Sequence, residues 1–172
     1  MQAVIKRQEE QIASLVTNVN KLKIERQKVD TSRAEASFKF ELAGVTKFFE
    51  VQQNLLYSDR FWCRGLQWSL KVKRNLDENE TKQLGVFLCC HCDDWLKWTC
   101  KTNFKLILFN NRSVKKNKTR KFYDFVFEAK LDSGVGYFMS YSKLTDEKNG
   151  YIKDDRIVLG VELKAEPVTR TY

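Results

Sequence analysis

Proline is almost missing from these 172 residues, with one at Pro167, and glycine is scarce at seven. That excludes a Pro- or Gly-rich linker and a low-complexity chain. Histidine occurs once, at His91. The chain has no G-x-S-x-G, no G-x-G-x-x-G opening a helix and no phosphate loop. The common hydrolase and nucleotide signatures are therefore missing, and an enzyme is not expected. No run approaches the ~18 apolar residues of a membrane span. The start, MQAVIKRQEE, has no apolar stretch of the kind a secretory signal carries. Five cysteines, an odd number, fit a reducing compartment. A cytoplasmic or nuclear setting is the expectation.

What is present is apolar content of 42% and aromatic content of 13%, enough to bury a core. The net charge of +9 is unevenly spread. Residues 101–130 hold nine Lys/Arg against Asp124 and Glu128, an excess of +7, densest in RSVKKNKTRK at 112–121.

Two textures meet near residue 36. Before it, Met1, Ile5, Gln8, Ile12, Leu15, Val19, Leu22, Arg26 and Val29 follow at steps of four and three. This is a heptad stripe, with Ile5, Ile12 and Val19 at a, and Leu15, Leu22 and Val29 at d. It predicts a coiled-coil helix over 1–35 that self-associates as a dimer or trimer. β-branched residues at a lean towards the parallel dimer. Gln8 and Arg26 in the seam, and repulsion between Glu25 and Asp30, make the coil weak. The simpler alternative is one amphipathic helix lying on the following domain.

After residue 36 the period is two. FKFELAGVTKF (38–48) and LQWSLKVKR (66–74) alternate; LGVFLCCHC, FKLILFN, KFYDFVF and RIVLGVEL are further strand-like runs. Short strands without helices between them predict an antiparallel sandwich or barrel. SYSKLTDEK has room for a short helix, and Asp154–Asp155 for a turn.

LCCHCDDWLKWTC (88–100) holds four of the five cysteines and His91. On a strand, successive side chains point to opposite faces, so Cys90 and Cys92 part from Cys89 and His91. Zinc needs three or four converging ligands, and the separated C-x₂-C pairs are missing. The cluster reads as core and sheet surface, with no metal and no cofactor expected.

WCRGLQWSLKVKRN, KQLGVFLCC, WTCKTNFKLILFNN, GVGYFMSYSKL and NGYIKDDRIVLGVEL resemble, in order, the strands of a meprin and TRAF homology (MATH) domain. The closing GYIKDD and its strand are the most specific element. A coil directly before such a domain is similar to the C-terminal half of TRAF adaptors. The resemblance implies an eight-stranded antiparallel β-sandwich over 36–168, with 169–172 as a tail. It implies a non-enzymatic module that binds short extended peptides, in adaptor or substrate-recognition roles of ubiquitin-linked or signalling assemblies. No BTB, RING or protease segment is seen in these residues. By motif position the peptide-lining residues would be Phe87, Phe104, Val135, Gly136 and Tyr137, with a further aromatic at Phe125 or Phe127. Val135 stands where the family commonly has Trp, which removes a large wall of the pocket. The bland reading of the aromatics is core packing. Two rival readings remain: a nucleic-acid-binding protein using the basic loop, which lacks interleaved aromatics, and a purely structural oligomeriser.

Overall fold

The computed structural model describes the backbone of residues 2–52, 54–92, 97–129 and 131–171, and all their side chains except those of 2–4, 21–30 and 171. The heptad texture forms one helix, α1 (Gln2–Thr31). Residues 5–20 are exposed throughout, so the helix does not lie on the domain through Ile5, Ile12, Leu15 or Val19. The stripe positions Met1, Leu22 and Val29 lie outside the described side chains.

The second texture folds into two antiparallel sheets. One runs β1 (Glu35–Ala43), β9 (Arg156–Ala165), β6 (Lys97–Leu108), β7 (Lys118–Glu128). The other runs β2 (Leu55–Tyr57) with β3 (Phe61–Cys63), then β4 (Leu66–Leu76), β5 (Lys82–His91) and β8 (Asp132–Ser140). A last strand, β10 (Thr169–Thr171), pairs with the start of β6.

Among the described residues the expected eight strands are ten, because two rows are broken. β9 pairs Ala165 with Thr102, and β10 resumes along β6 with Thr169 opposite Thr99. Pro167, with no N–H to give the ladder, lies in the gap. Of the residues expected as a tail, 169–171 are therefore part of the first sheet, and Tyr172 lies outside the described residues. On the other sheet, β2 and β3 both pair with β4 and are separated by Ser58–Arg60. At that break the Ser58 hydroxyl accepts the Leu70 N–H at 2.9 Å, in place of a strand carbonyl.

The alternation expected over 38–48 stops at Ala43. Gly44, at φ 69, turns the chain into a short helix, α2 (Val45–Glu50), which buries Val45, Phe48 and Phe49. The cap of α2 comes from the GYIKDD signature. Asp155 accepts from the Thr46 N–H at 2.9 Å and from its hydroxyl at 2.8 Å. The Val45 N–H donates to the Asp155 carbonyl. Asp154 and Asp155 both hold positive φ, a state open to Asp at turns. The expected short helix follows β8 as α3 (Tyr141–Thr145).

Between the sheets lie Trp68, Leu70, Leu84, Leu88, Leu106, Phe127, Phe138 and Leu159, all essentially inaccessible. Phe38 and Phe61 stack at 4.9 Å and close the side where β1 meets β3. That leaves β7 and β8 as the edges of the opposite side.

Candidate functional site

β7 pairs only with β6, and β8 only with β5, among the described residues. Each edge carries an irregularity that sets which side chains it offers.

On β7 the register slips between Thr102 and Phe104. Two residues, Tyr123 and Asp124, stand opposite Asn103, and Asp124 takes φ 52. Asn103 Oδ1 accepts the Asp124 N–H at 2.8 Å, and the Thr102 hydroxyl donates to the Phe125 carbonyl at 3.1 Å. A bulge of this kind re-aims side chains. Here it puts Phe122 and Phe125, three apart, on the inward side together. Phe122 stacks on Phe104 at 4.4 Å and 7°, and Phe125 meets Phe104 edge-on at 6.2 Å. Phe127 lies 4.8 Å from Phe125 and 5.0 Å from Trp68.

On β8 the slip lies opposite Gly85: Val86 pairs with Val135, but Leu84 pairs with Met139. Gly136, Tyr137 and Phe138 stand opposite the single residue Gly85, an excess of two. Asn75 Nδ2 donates to the Gly136 carbonyl at 2.8 Å, and the Tyr137 hydroxyl to the Leu76 carbonyl at 3.3 Å. These two bonds pull the bulge across β5 towards β4. A Cβ at Gly134 would lie 2.1 Å from the Val86 carbonyl oxygen and 2.5 Å from Phe87 Cα, so only glycine fits there.

The residues expected to line a peptide site are thus only partly brought together. Phe104, Phe125 and Phe127 form one aromatic stack, with Val135 half-buried against the same core. Phe104 and Phe127 are core residues, buried to 3% and 0% exposure, so the core reading holds for both. Phe125 is half-buried and Tyr137 exposed. Phe87 lies on the outer face of its sheet, paired with Gly134 and under Lys71 Nζ, 4.7 Å from its ring centroid. It is half-buried beside the β8 bulge and apart from the stack. Phe122 was missed by motif position, because spacing alone cannot show a bulge. Its only trace in the sequence is the FYDF spacing, where a strict alternation would have put Phe122 and Phe125 on opposite faces.

The cysteine stretch resolves as strand. Cys90 faces the core; Cys89 and His91 share the outer face with Ser69, whose hydroxyl lies 2.6 Å from His91 Nε2. Burial pushes the Cys89 thiol up to about 11, with Lys71 opposing, and the Cys90 thiol up as well. These are inert, protonated thiols rather than nucleophiles. Residues 93–96 lie outside the described residues. Among the described residues no three His, Cys, Asp or Glu side chains converge to hold a metal.

The basic stretch is only half a loop. Val114–Lys116 make a 3₁₀ turn, and from Lys118 onward the cations belong to β7. A hollow of about 650 Å³ lies on the outer face of the first sheet. Its charges are largely matched within it: Lys105 to Glu162 at 2.5 Å, Lys164 to Glu35 at 3.4 Å.

A family model described as MATH domain matches residues 37–163. A MATH domain and coiled-coil domain-containing protein of Arabidopsis thaliana is 25% identical over 121 residues, 69% of this chain and 36% of that relative. The match therefore spans about a third of the relative's length. The solved structure of the Salmonella enterica trimeric lipoprotein SadB aligns over 99% of this chain and 83% of its own, at TM-score 0.36 and 11% identity. That similarity is too low to inform the fold. The order of the strands, the β8 bulge at GVGY and the Asp155 cap are the structural form of the motifs that the family model spans, and the chain belongs to the MATH domain family.

Proposed function

We propose that the sandwich binds short extended peptide segments of partner proteins at the β7–β8 side, and that α1 self-associates to present several such sites. MATH domains are protein-interaction modules, and no catalysis is assigned to this chain. The observation that carries the reading is that β7 and β8, each paired on one side only among the described residues, are the edges of the same side of the sandwich, with the Phe104–Phe122–Phe125 stack behind β7. An incoming strand gains main-chain pairing from such an edge and selectivity from side-chain pockets. Phe122 and Phe125 offer half-buried rings, Tyr137 an exposed one. Val135, in place of a larger side chain, leaves room for a bulky residue of the peptide. The hollow on the outer face is the weaker candidate, since its ion pairs already satisfy one another.

Self-association has its support in the exposed Ile5, Ile12, Leu15 and Val19. A dimer or trimer would raise the apparent affinity of weak sites without new contacts. An adaptor or substrate-recognition role in a reducing, cytoplasmic or nuclear compartment follows from this reading.

The test is a peptide-display selection against the whole chain, with Phe125→Ala and Tyr137→Ala run beside it. A short consensus that both variants lose supports the site. A consensus that neither variant affects removes it.

A further inference from the structure

The inward side of β7 reads, from its start, Lys118, Arg120, Phe122, Phe125, Phe127. Register fixes this: Lys118 pairs with Leu108 and Arg120 with Leu106, both buried core residues. Two cations thus begin a row that aromatics complete. Lys118 is half-buried, its ammonium 5.8 Å from the ring centroid of Phe138 on β8. It therefore sits where the two edges meet.

Among the described residues no carboxylate acts on this group. The charges acting on Lys118 are Lys143 of α3 and Arg120, and both oppose its own. Burial, then these two neighbours, pull its pKa down. Several cations of this sheet are matched, Lys101 to Asp124 at 2.8 Å, Lys105 to Glu162 and Lys164 to Glu35, whereas Lys118 and Arg120 make no ion pair among the described residues. A half-buried cation beside two exposed ones of like charge is stabilised when an anion joins it.

Resting on the peptide-binding reading above, we infer that Lys118, Arg120 and Lys143 hold the phosphate monoester of a phosphorylated residue in the bound peptide. A phosphate carries nearly two charges and three acceptor oxygens. It matches three cations better than one carboxylate does. Arg120 supplies the planar fork suited to two of its oxygens, and the lysines act as point charges. The cations are gathered at one end of an aromatic row, not strung along a track. That suits one phosphate on a peptide whose apolar residues lie against Phe122 and Phe125, rather than a nucleic-acid backbone.

Inward charges on an edge strand also discourage edge-to-edge aggregation. That role alone gives no preference for phosphate, so the two separate by experiment. The probes are three degenerate peptide libraries with a fixed central phosphoserine, serine or glutamate, passed over the immobilised full chain at about 0.15 M salt. The expected result is retention of the phosphoserine library about tenfold over serine, the scale of added charge-assisted bonds. Lys118→Met, which keeps the buried volume, and the exposed Lys143→Ser should each erase most of that excess while serine-library binding stays. Equal retention of phosphoserine and serine libraries overturns the phosphate site and leaves the peptide site standing. Equal retention of phosphoserine and glutamate overturns it in favour of plain acidity. Displacement of the phosphoserine library by an oligouridylate overturns it in favour of nucleic acid. Retention of no library overturns the peptide reading, and this inference with it.

Discussion

Val19 on α1 and Val86 on β5 are the same side chain in opposite settings: one is half exposed, the other completely buried. The contrast extends to their neighbours. Ile12 and Leu15 face water, while Leu84, Leu88 and Phe127 touch only protein. Apolar burial stabilises the sandwich from within the chain. The described stripe of the helix contributes nothing of that kind to a single copy. A lone helix in water is marginal without packing on an apolar face. The two regions therefore differ in what completes them, and each expectation below tests that difference.

The largest effect belongs to the core. Phe127→Ala should cost about 3–5 kcal/mol, read from urea unfolding followed by tryptophan fluorescence. A loss below ~1 kcal/mol would mean that Phe127 is not wedged between Trp68 and Phe125. Gly134→Ala should cost about 1–3 kcal/mol, because the added methyl meets the β5 backbone. It should also shift backbone resonances at Val86 and Phe87; silence there would place β8 elsewhere.

Ile12→Asn with Val19→Asn should leave the urea midpoint of the sandwich within ~0.5 kcal/mol of the parent. The same pair should abolish self-association in sedimentation equilibrium. Unchanged mass would show that the stripe is not the oligomer seam. Removing residues 1–35 should weaken binding to a multivalent partner far more than to one peptide. Similar losses for both would leave the helix without an avidity role.

The smallest effect concerns the thiols. Burial raises Cys89 from its ordinary 9.0 to about 11, and Cys100 likewise to about 11. Between those values the unfolded chain sheds protons that the folded chain keeps. Stability is thus full below about pH 9 and falls as pH rises towards about 11. At pH 8 iodoacetamide should modify Cys92, the one half-buried thiol, before the four buried ones. Early labelling of Cys90 would contradict its place in the core.

Much of this was legible in the sequence. Period-two runs located β4, β5, β6, β7 and β9, and steps of four and three located α1. The motif order found the family. What periodicity hid were the departures from it. VTKFF continues the alternation of β1 yet turns helical, because Gly44 reverses the chain and Asp155, 109 residues away in sequence, caps the turn. The bulge at Tyr123–Asp124 put Phe122 beside Phe125, which no fixed spacing reveals. Phe87 and Phe104 share motif status but lie on different faces of different sheets. Only pairing register tells them apart, and register is a long-range property. The cations at Lys118 and Arg120 read as a loop because they sit among other cations; their inward aim is set by Leu108 and Leu106 across the ladder.

The arch of β8 over Gly85 has a consequence for how selectivity changes. A Cβ at Gly85 would lie 2.8 Å from Asn75 Nδ2 and 3.2 Å from the Gly136 carbonyl oxygen. Any side chain there must lift the arch or break the bond from Asn75. Val135 and Tyr137 ride on that arch and would move with it. On the proposed peptide-binding reading, position 85 would alter which peptides are accepted while never touching one, and two such domains with the same lining residues would not need to read the same sequence.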